Sequence, residues 1–285
     1  MCAKSSDPDR YKAEQQRQWD AVASSWKKWW KIFEKGAQHV SNRLIEMAGV
    51  RPGHKVLDIA TGIGEPAITV SQLVGPAGHV VATDQSHQML AIAQDRAAQL
   101  GLKNLEFRVV DAEVMDFSEK SFDSILCRWG LMFLPNLVAT LARIRQMLVQ
   151  HGKFATSVLD EASKVPFLSL PLSIAKNVFQ MPQAPSGAPS LFGLAGGVLE
   201  KEMTQSGFTE IHSEALTFPV EFASVEAYIQ FISEVPAPIV AMLASQPEAR
   251  KAEFRHSIAE AFRQYTLPDG SLRIPNSTIC AVGRR

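Results

Sequence analysis

Apolar residues in this chain fall into short solid runs, separated by stretches in which they recur every three or four positions. The runs lie near 55–60, 79–84, 105–110, 122–128 and 153–159, and the periodic stretches between them near 66–74, 86–100 and 135–149. A short solid run suits a strand buried on both faces, and a three-to-four recurrence suits an amphipathic helix. Gly53, Gly78, Gly101 and Gly152 punctuate the turns. This alternation predicts right-handed crossovers and a parallel sheet. Two more strands fit near 209–217 and 276–283. The last of them, Ser277-Thr278-Ile279-Cys280-Ala281-Val282-Gly283, is expected to run antiparallel. Helices are expected near 11–33 and 37–49. The fold class is therefore α/β, a seven-stranded, mostly parallel sheet with helices on both faces.

Three successive runs end in a carboxylate. Asp58 lies at the end of Val56-Leu57-Asp58-Ile59, Asp84 follows Val80-Val81-Ala82-Thr83, and Asp111 follows Phe107-Arg108-Val109-Val110. Open α/β sheets bind ligands at the carboxyl ends of their strands. The turn after the first run, Ala60-Thr61-Gly62-Ile63-Gly64-Glu65-Pro66, fits a dinucleotide fingerprint, and Asp84 lies where a ribose-binding acid belongs. Asp58 argues against that ligand. A carboxylate four residues before the first glycine repels a pyrophosphate seated on backbone N–H groups. It attracts a ligand that carries an ammonium and a sulfonium, such as S-adenosyl-L-methionine. An NAD-dependent oxidoreductase is the alternative.

Composition narrows the partners. Lys+Arg and Asp+Glu both number 29, and no basic block stands out, so a nucleic-acid footprint is not expected. Cys2, Cys127 and Cys280 are scattered, which suits a reducing compartment and supplies no metal spacing. The first residues are polar and lack the apolar region of a signal peptide, and no apolar run approaches spanning length. A soluble, cytoplasmic protein without stable membrane insertion is expected.

Residues 16–158 resemble a class I S-adenosylmethionine-dependent methyltransferase with a Rossmann-like sheet. They are most similar to the ubiquinone/menaquinone-biosynthesis branch and its small-molecule relatives. The resemblance rests on residues 56–66, on Ala82-Thr83-Asp84-Gln85-Ser86 with Met89 and Leu90, on Val110-Asp111-Ala112-Glu113, and on Ser121-Phe122-Asp123-Ser124-Ile125-Leu126. It implies that Asp58 holds the methionine ammonium, with the backbone of Ala60, Thr61, Gly62 and Gly64 against the cofactor. It also implies that Asp84 accepts from the ribose hydroxyls, Gln85 and Met89 flank the adenine, and Asp111 accepts from the adenine amino group beside Ala112. Glu113 and Arg128 join this set, with Arg128 at the methionine end. The acceptor is expected to be a small, largely apolar molecule, contacted by Trp30, Phe33, Trp129, Met132 and Phe133.

The chain departs from its relatives at one place. Quinone-ring C-methyltransferases carry an Arg-Asn pair shortly after the fourth strand, and several O-methyltransferases carry a His pair. Here the residues are Leu131-Met132-Phe133-Leu134. With neither base in place, no catalytic residue is assigned and proximity-driven transfer is favoured, to O or N, with C-methylation the lesser reading. His39, His87, Asp160, Glu161, His212 and Tyr228 are the other possible bases.

Residues 1–50 are expected to form N-terminal helices that cover the site, and 51–285 a methyltransferase domain with cap insertions near 161–206 and 219–272. Helical portions are expected at 224–234 and 247–265, with Pro236 and Pro238 between them. Trp19, Trp26, Trp30 and Phe33 are spaced by seven, four and three and so share a helix face. Trp26 on that face could attract a sulfonium by a cation–π contact. A cofactor-binding protein without catalysis is a further alternative function, and surface attachment of this helix to a membrane is a weaker one.

Overall fold

The computed structural model describes residues 8–181 and 189–285. Cys2 and residues 182–188 of the first added segment lie outside them. The strands are β1 (Lys55–Ile59), β2 (His79–Asp84), β3 (Leu105–Val109), β4 (Phe122–Arg128), β5 (Leu148–Leu159), β6 (Thr209–Phe222) and β7 (Leu272–Arg284). The helices are α1 (Pro8–Met47), α2 (Ala67–Val74), α3 (His87–Gln99), α4 (Leu137–Met147), α5 (Pro166–Val178), α6 (Val198–Gln205), α7 (Val225–Glu234), α8 (Ala237–Ala244) and α9 (Glu248–Phe262).

One seven-stranded sheet runs in the order β3-β2-β1-β4-β5-β7-β6. The first five strands are parallel, and β7 pairs antiparallel with β5 from Lys153↔Arg284 to Leu159↔Thr278. The central strands are buried because their runs are continuous in Val, Leu and Ile. Val56, Leu57, Val80, Ile125, Leu126, Phe154 and Ala155 are all inaccessible to solvent.

The chain divides into two compact units. One contains Gln38–Glu161, Pro189–Leu216 and Thr278–Arg285 and holds the parallel strands with α2, α3, α4 and α6. The other takes the described residues up to Ala37, those from Ala162 to Met181, and Thr217–Ser277. Its core is aromatic. Phe167 lies 5.5 Å from Phe231 and 5.8 Å from Tyr228, Phe222 lies 5.2 Å from Tyr228, and Tyr228 lies 4.5 Å from Phe262. The Tyr228 hydroxyl, buried among these rings, donates to the Phe167 carbonyl at 2.7 Å and so has a partner.

Two elements differ from the pattern-based expectation. The two N-terminal helices are one 40-residue helix, α1. Gly36 lies within it because a side chain there would collide with the Pro219 carbonyl, so close backbone packing keeps the glycine. The stretch around Pro236 and Pro238 is a helix, α8, with Pro238 in its first turn. A proline there loses no hydrogen bond, because the first N–H groups of a helix have no partner within it. Among the described residues no single helix is long and apolar enough to cross a membrane. The pair α7 and α8 passes that test only together and is bent by 81°.

Candidate functional site

The sheet register gathers Asp58, Asp84 and Arg128 on one face. Asp58 of β1 pairs with Ala82 of β2 and with Leu126 of β4. Side chains two apart in a strand share a face, so Asp84 and Arg128 lie on the same face as Asp58. Asp84 pairs with Val109 and Arg128 with Ser157, which extends the row to β3 and β5. β1 and β4 flank the point where the strand order reverses, the place where such sheets take ligands.

The turn after β1 is held by its neighbour. Thr61 N–H donates to the Thr83 carbonyl at 2.9 Å, and Gly64 N–H to the Thr61 carbonyl at 3.0 Å. Asp84 Oδ2 accepts from Gly62 N–H at 2.8 Å while Oδ1 accepts from Ser86 N–H at 2.8 Å. Ser86 caps α3 by accepting from Met89 N–H at 3.1 Å, and the Met89 side chain is buried. Gln85 is half-buried.

Asp58 is fully buried. Its Oδ2 accepts from Ala67 N–H at 3.1 Å, at the start of α2, and its Oδ1 has no hydrogen-bond partner. Burial pushes its carboxyl up to about 7, opposed by the nearby Thr61 hydroxyl, the Arg128 charge and the Ala67 N–H. The hydroxyls of Thr61 and Ser157 are also buried without partners. Beside Gly62, at φ +57°, an added Cβ would meet nothing within 4 Å. A buried, unpartnered carboxylate oxygen at the switch point suits an ammonium, and the open backbone beside Gly62 gives a ligand close approach. These residues fit S-adenosyl-L-methionine.

The remaining predicted residues are placed as follows. Asp111 Oδ1 accepts from Glu113 N–H at 2.9 Å, closing the turn that contains Ala112. Glu113 is turned to Asn136, accepting from its backbone N–H at 2.6 Å and its side-chain amide at 3.0 Å, just before α4. This makes Glu113 an anchor for that helix start. Arg128 donates to the Ser41 hydroxyl at 2.8 Å and lies 5.0 Å from the Trp129 ring. Trp129 has φ +58°, a conformation that bulky side chains rarely adopt, and its indole N–H donates to Thr278 Oγ1 at 2.9 Å. Leu131–Phe133 form a short 3-10 turn in which Leu131 and Met132 are buried and Phe133 is half-buried.

Trp26, Trp30 and Phe33 belong to the other unit. Trp26 meets Phe33 edge-on at 5.3 Å, and its indole N–H is buried without a partner. Phe33 lies 6.0 Å from Phe167, and the Trp30 ring lies 5.8 Å from the Lys31 ammonium. Trp29, absent from the predicted face, is the buried tryptophan here and donates to Glu234 at 2.7 Å.

Of the possible bases, His39, His87, His212 and Glu161 are exposed. Asp160 is buried and accepts from Glu161 N–H at 2.7 Å. Burial pushes the Tyr228 phenol well above its ordinary value, so its phenolate is disfavoured. Sequence reasoning also missed Ser41, Ser157, Arg96, Asn136 and Thr278. Their contacts join positions far apart in the chain, and no spacing rule signals them.

The strand order, the acid-bearing strand ends and the glycine turn define a class I, Rossmann-like methyltransferase fold. A family model described as "Methyltransferase domain" matches residues 51–209, more than half of the chain, and the chain belongs to that family. The ubiquinone/menaquinone biosynthesis C-methyltransferase UbiE of Pseudomonas putida is 38% identical over 110 residues, 38% of this chain and 43% of that protein. The aklanonic acid methyltransferase DauC of Streptomyces sp. (strain C5) is 34% identical over 130 residues, 45% of this chain and 59% of that protein. The chain thus spans about half the length of the curated relatives it matches. The structure of Haemonchus contortus phosphoethanolamine N-methyltransferase 2 in complex with S-adenosyl-L-methionine superposes with a TM-score of 0.52 at 19% identity, covering 86% of this chain and 52% of that one. That likeness shows the fold. The cofactor of the family is S-adenosyl-L-methionine.

Proposed function

We propose that this protein transfers the methyl group of S-adenosyl-L-methionine to a small, largely apolar acceptor, at oxygen or nitrogen, without a dedicated general base. The observation that carries this reading is the turn after β4. Trp129, with its indole tied to Thr278, is followed by Leu131, Met132 and Phe133, and no ionisable side chain lies among them. Such a wall favours hydrocarbon and aromatic surface over charge.

The bound cofactor supplies a methyl group already activated on a sulfonium. In this reading Asp58 receives the ammonium and Asp84 the ribose hydroxyls, with Gln85, Met89, Asp111 and Ala112 at the adenine and Arg128 at the methionine end. Trp129, Met132 and Phe133 position the acceptor and exclude water. Orientation of the two reactants then carries the rate. An amine that is neutral at the working pH, or a phenol or carboxylic acid that ionises in solution, needs no base from the protein.

The test is a screen of phenols, amines, carboxylic acids and quinone-type ring carbons, read as S-adenosylhomocysteine released. Turnover among the first three classes is expected. Turnover confined to ring carbons would overturn the assignment to oxygen or nitrogen.

A further inference from the structure

The turn after β1 is gripped from a second side. Arg96 stands in the last turn of α3 and reaches back to the glycine turn. One guanidinium nitrogen, Nη1, donates to the Ile63 carbonyl at 2.5 Å, and the other, Nη2, donates to Glu65 Oε1 at 3.0 Å. The second oxygen of Glu65 accepts from the Thr69 hydroxyl at 2.7 Å, one turn into α2. Thr69 Oγ1 in turn accepts from the Gln38 amide at 3.3 Å. The side chains of Arg96 and Glu65 are only 12% and 6% exposed.

A buried ion pair is an uneconomical way to stabilise a fold, because desolvation offsets most of the attraction. Its distinctive property is direction. The planar fork of an arginine fixes two acceptors in one geometry, here the backbone carbonyl of Ile63 and the carboxylate of Glu65, two residues on. The other edge of the same turn is fixed by Asp84 on Gly62 N–H. Asp84 ends β2 and Arg96 belongs to the helix that follows it, so one β–α unit holds the glycine turn of the preceding one at both ends.

We infer that Arg96 and Glu65 are positioning residues for the cofactor, holding the 61–65 turn in its binding shape before the cofactor arrives. The inference rests on the assignment of that turn to the cofactor. A turn already ordered loses little conformational freedom on binding, so the pair acts on affinity without touching the ligand.

The experiment is calorimetric titration of S-adenosylhomocysteine into the full chain and into Arg96→Met, Arg96→Lys and Glu65→Gln, with Asp84→Ala as a variant of the direct site. Melting curves establish that each variant is folded. Arg96→Met should raise Kd at least tenfold, with a less favourable binding entropy because the turn then orders on binding. Arg96→Lys, which keeps the charge against Glu65 but lacks the planar fork that also holds the Ile63 carbonyl, should recover Kd only in part, to a value between Arg96→Met and the natural protein, a readout that lost packing alone would not give. If Arg96→Met does not fold, Glu65→Gln gives the same test, because it keeps the size and removes the charge, and a severalfold rise in Kd is expected. A Kd unchanged in the Arg96 and Glu65 variants but raised in Asp84→Ala would overturn the positioning role and leave the site standing. A Kd unchanged in all of them, Asp84→Ala included, would overturn the site assignment and the inference with it.

Discussion

The turns after β1 and after β4 lie side by side and begin alike, yet they are built for different tasks. Each opens with a non-glycine residue in the left-handed region, Ala60 at φ +57° and Trp129 at φ +58°. They approach so closely that a side chain on Gly130 would come within 2.7 Å of the Ala60 Cβ. The first turn is polar and held by Asp84, Thr83 and Arg96. The second is apolar, and its fixed points are an indole bond to Thr278 and a backbone bond from Trp129 N–H to the Ser157 carbonyl. Under the proposed function, the contrast separates recognition of a charged cofactor from contact with an acceptor that carries little charge. Strained backbone of this kind gathers at functional sites, and here it opens both of two neighbouring turns.

The largest expected effect concerns Asp58, the charged centre of the polar turn. Burial pushes its folded carboxyl up to about 7, from an ordinary 3.8. The folded state therefore keeps a proton that the unfolded chain gives up. Stability from this group is fully present below pH 4 and is lost as pH rises from about 4 through 7. Asp58→Asn escapes that loss. It should be more stable than the natural protein at pH 8, by an amount on the order of a few kcal/mol, and nearly equal near pH 4, as read by denaturant melts. The same variant should bind S-adenosylhomocysteine more weakly, because the ammonium loses its carboxylate. A variant both more stable and weaker in binding would identify Asp58 as a group kept for function at the expense of the fold.

Gly130→Ala tests the close approach of the two turns. The new methyl would meet Ala60 at 2.7 Å and Cys127 Sγ at 2.8 Å, and neither neighbour can swing away, since one is a Cβ on strained backbone and the other is fully buried. Overpacking of this kind costs about 1–3 kcal/mol, so the melting temperature should fall and cofactor affinity with it. An unchanged melting temperature would mean that the two turns are free to move apart.

The character of both turns, one polar and one apolar, was legible in the sequence. Carboxylates that end apolar runs break a strong pattern, so Asp58, Asp84 and Asp111 stood out, and the register brought them to one edge. The parallel strands were legible for the same reason. The contacts that set the turns were not legible. Arg96 meets Glu65 across 31 positions, Glu113 meets Asn136 across 23, and Trp129 meets Thr278 across 149. Those distances are decided by crossovers and strand order, which leave no local spacing. Proline misled in the opposite direction at α8, where Pro236 and Pro238 suggested a break and the structure uses them to start a helix.

A smaller effect is expected on the apolar side. Once an acceptor is known, Met132→Ala and Phe133→Ala should mainly raise its KM, through lost apolar contact, with kcat little changed. His39→Ala, His87→Ala and His212→Ala should each alter kcat by less than tenfold, below the roughly 10²–10⁴ that a general base contributes. A hundredfold loss in one folded histidine variant, restored by imidazole, would name a base and end the proximity account.

The central claim is that the strand-end carboxylates hold S-adenosyl-L-methionine. Isothermal titration of S-adenosylhomocysteine at pH 8 into the natural protein, Asp84→Ala and Asp58→Asn tests it most directly. Loss of a hydrogen bond to a charged group costs about 1.5–3 kcal/mol, so each variant, folded by its melting curve, should bind at least tenfold more weakly. Equal affinity in all three proteins would contradict the claim.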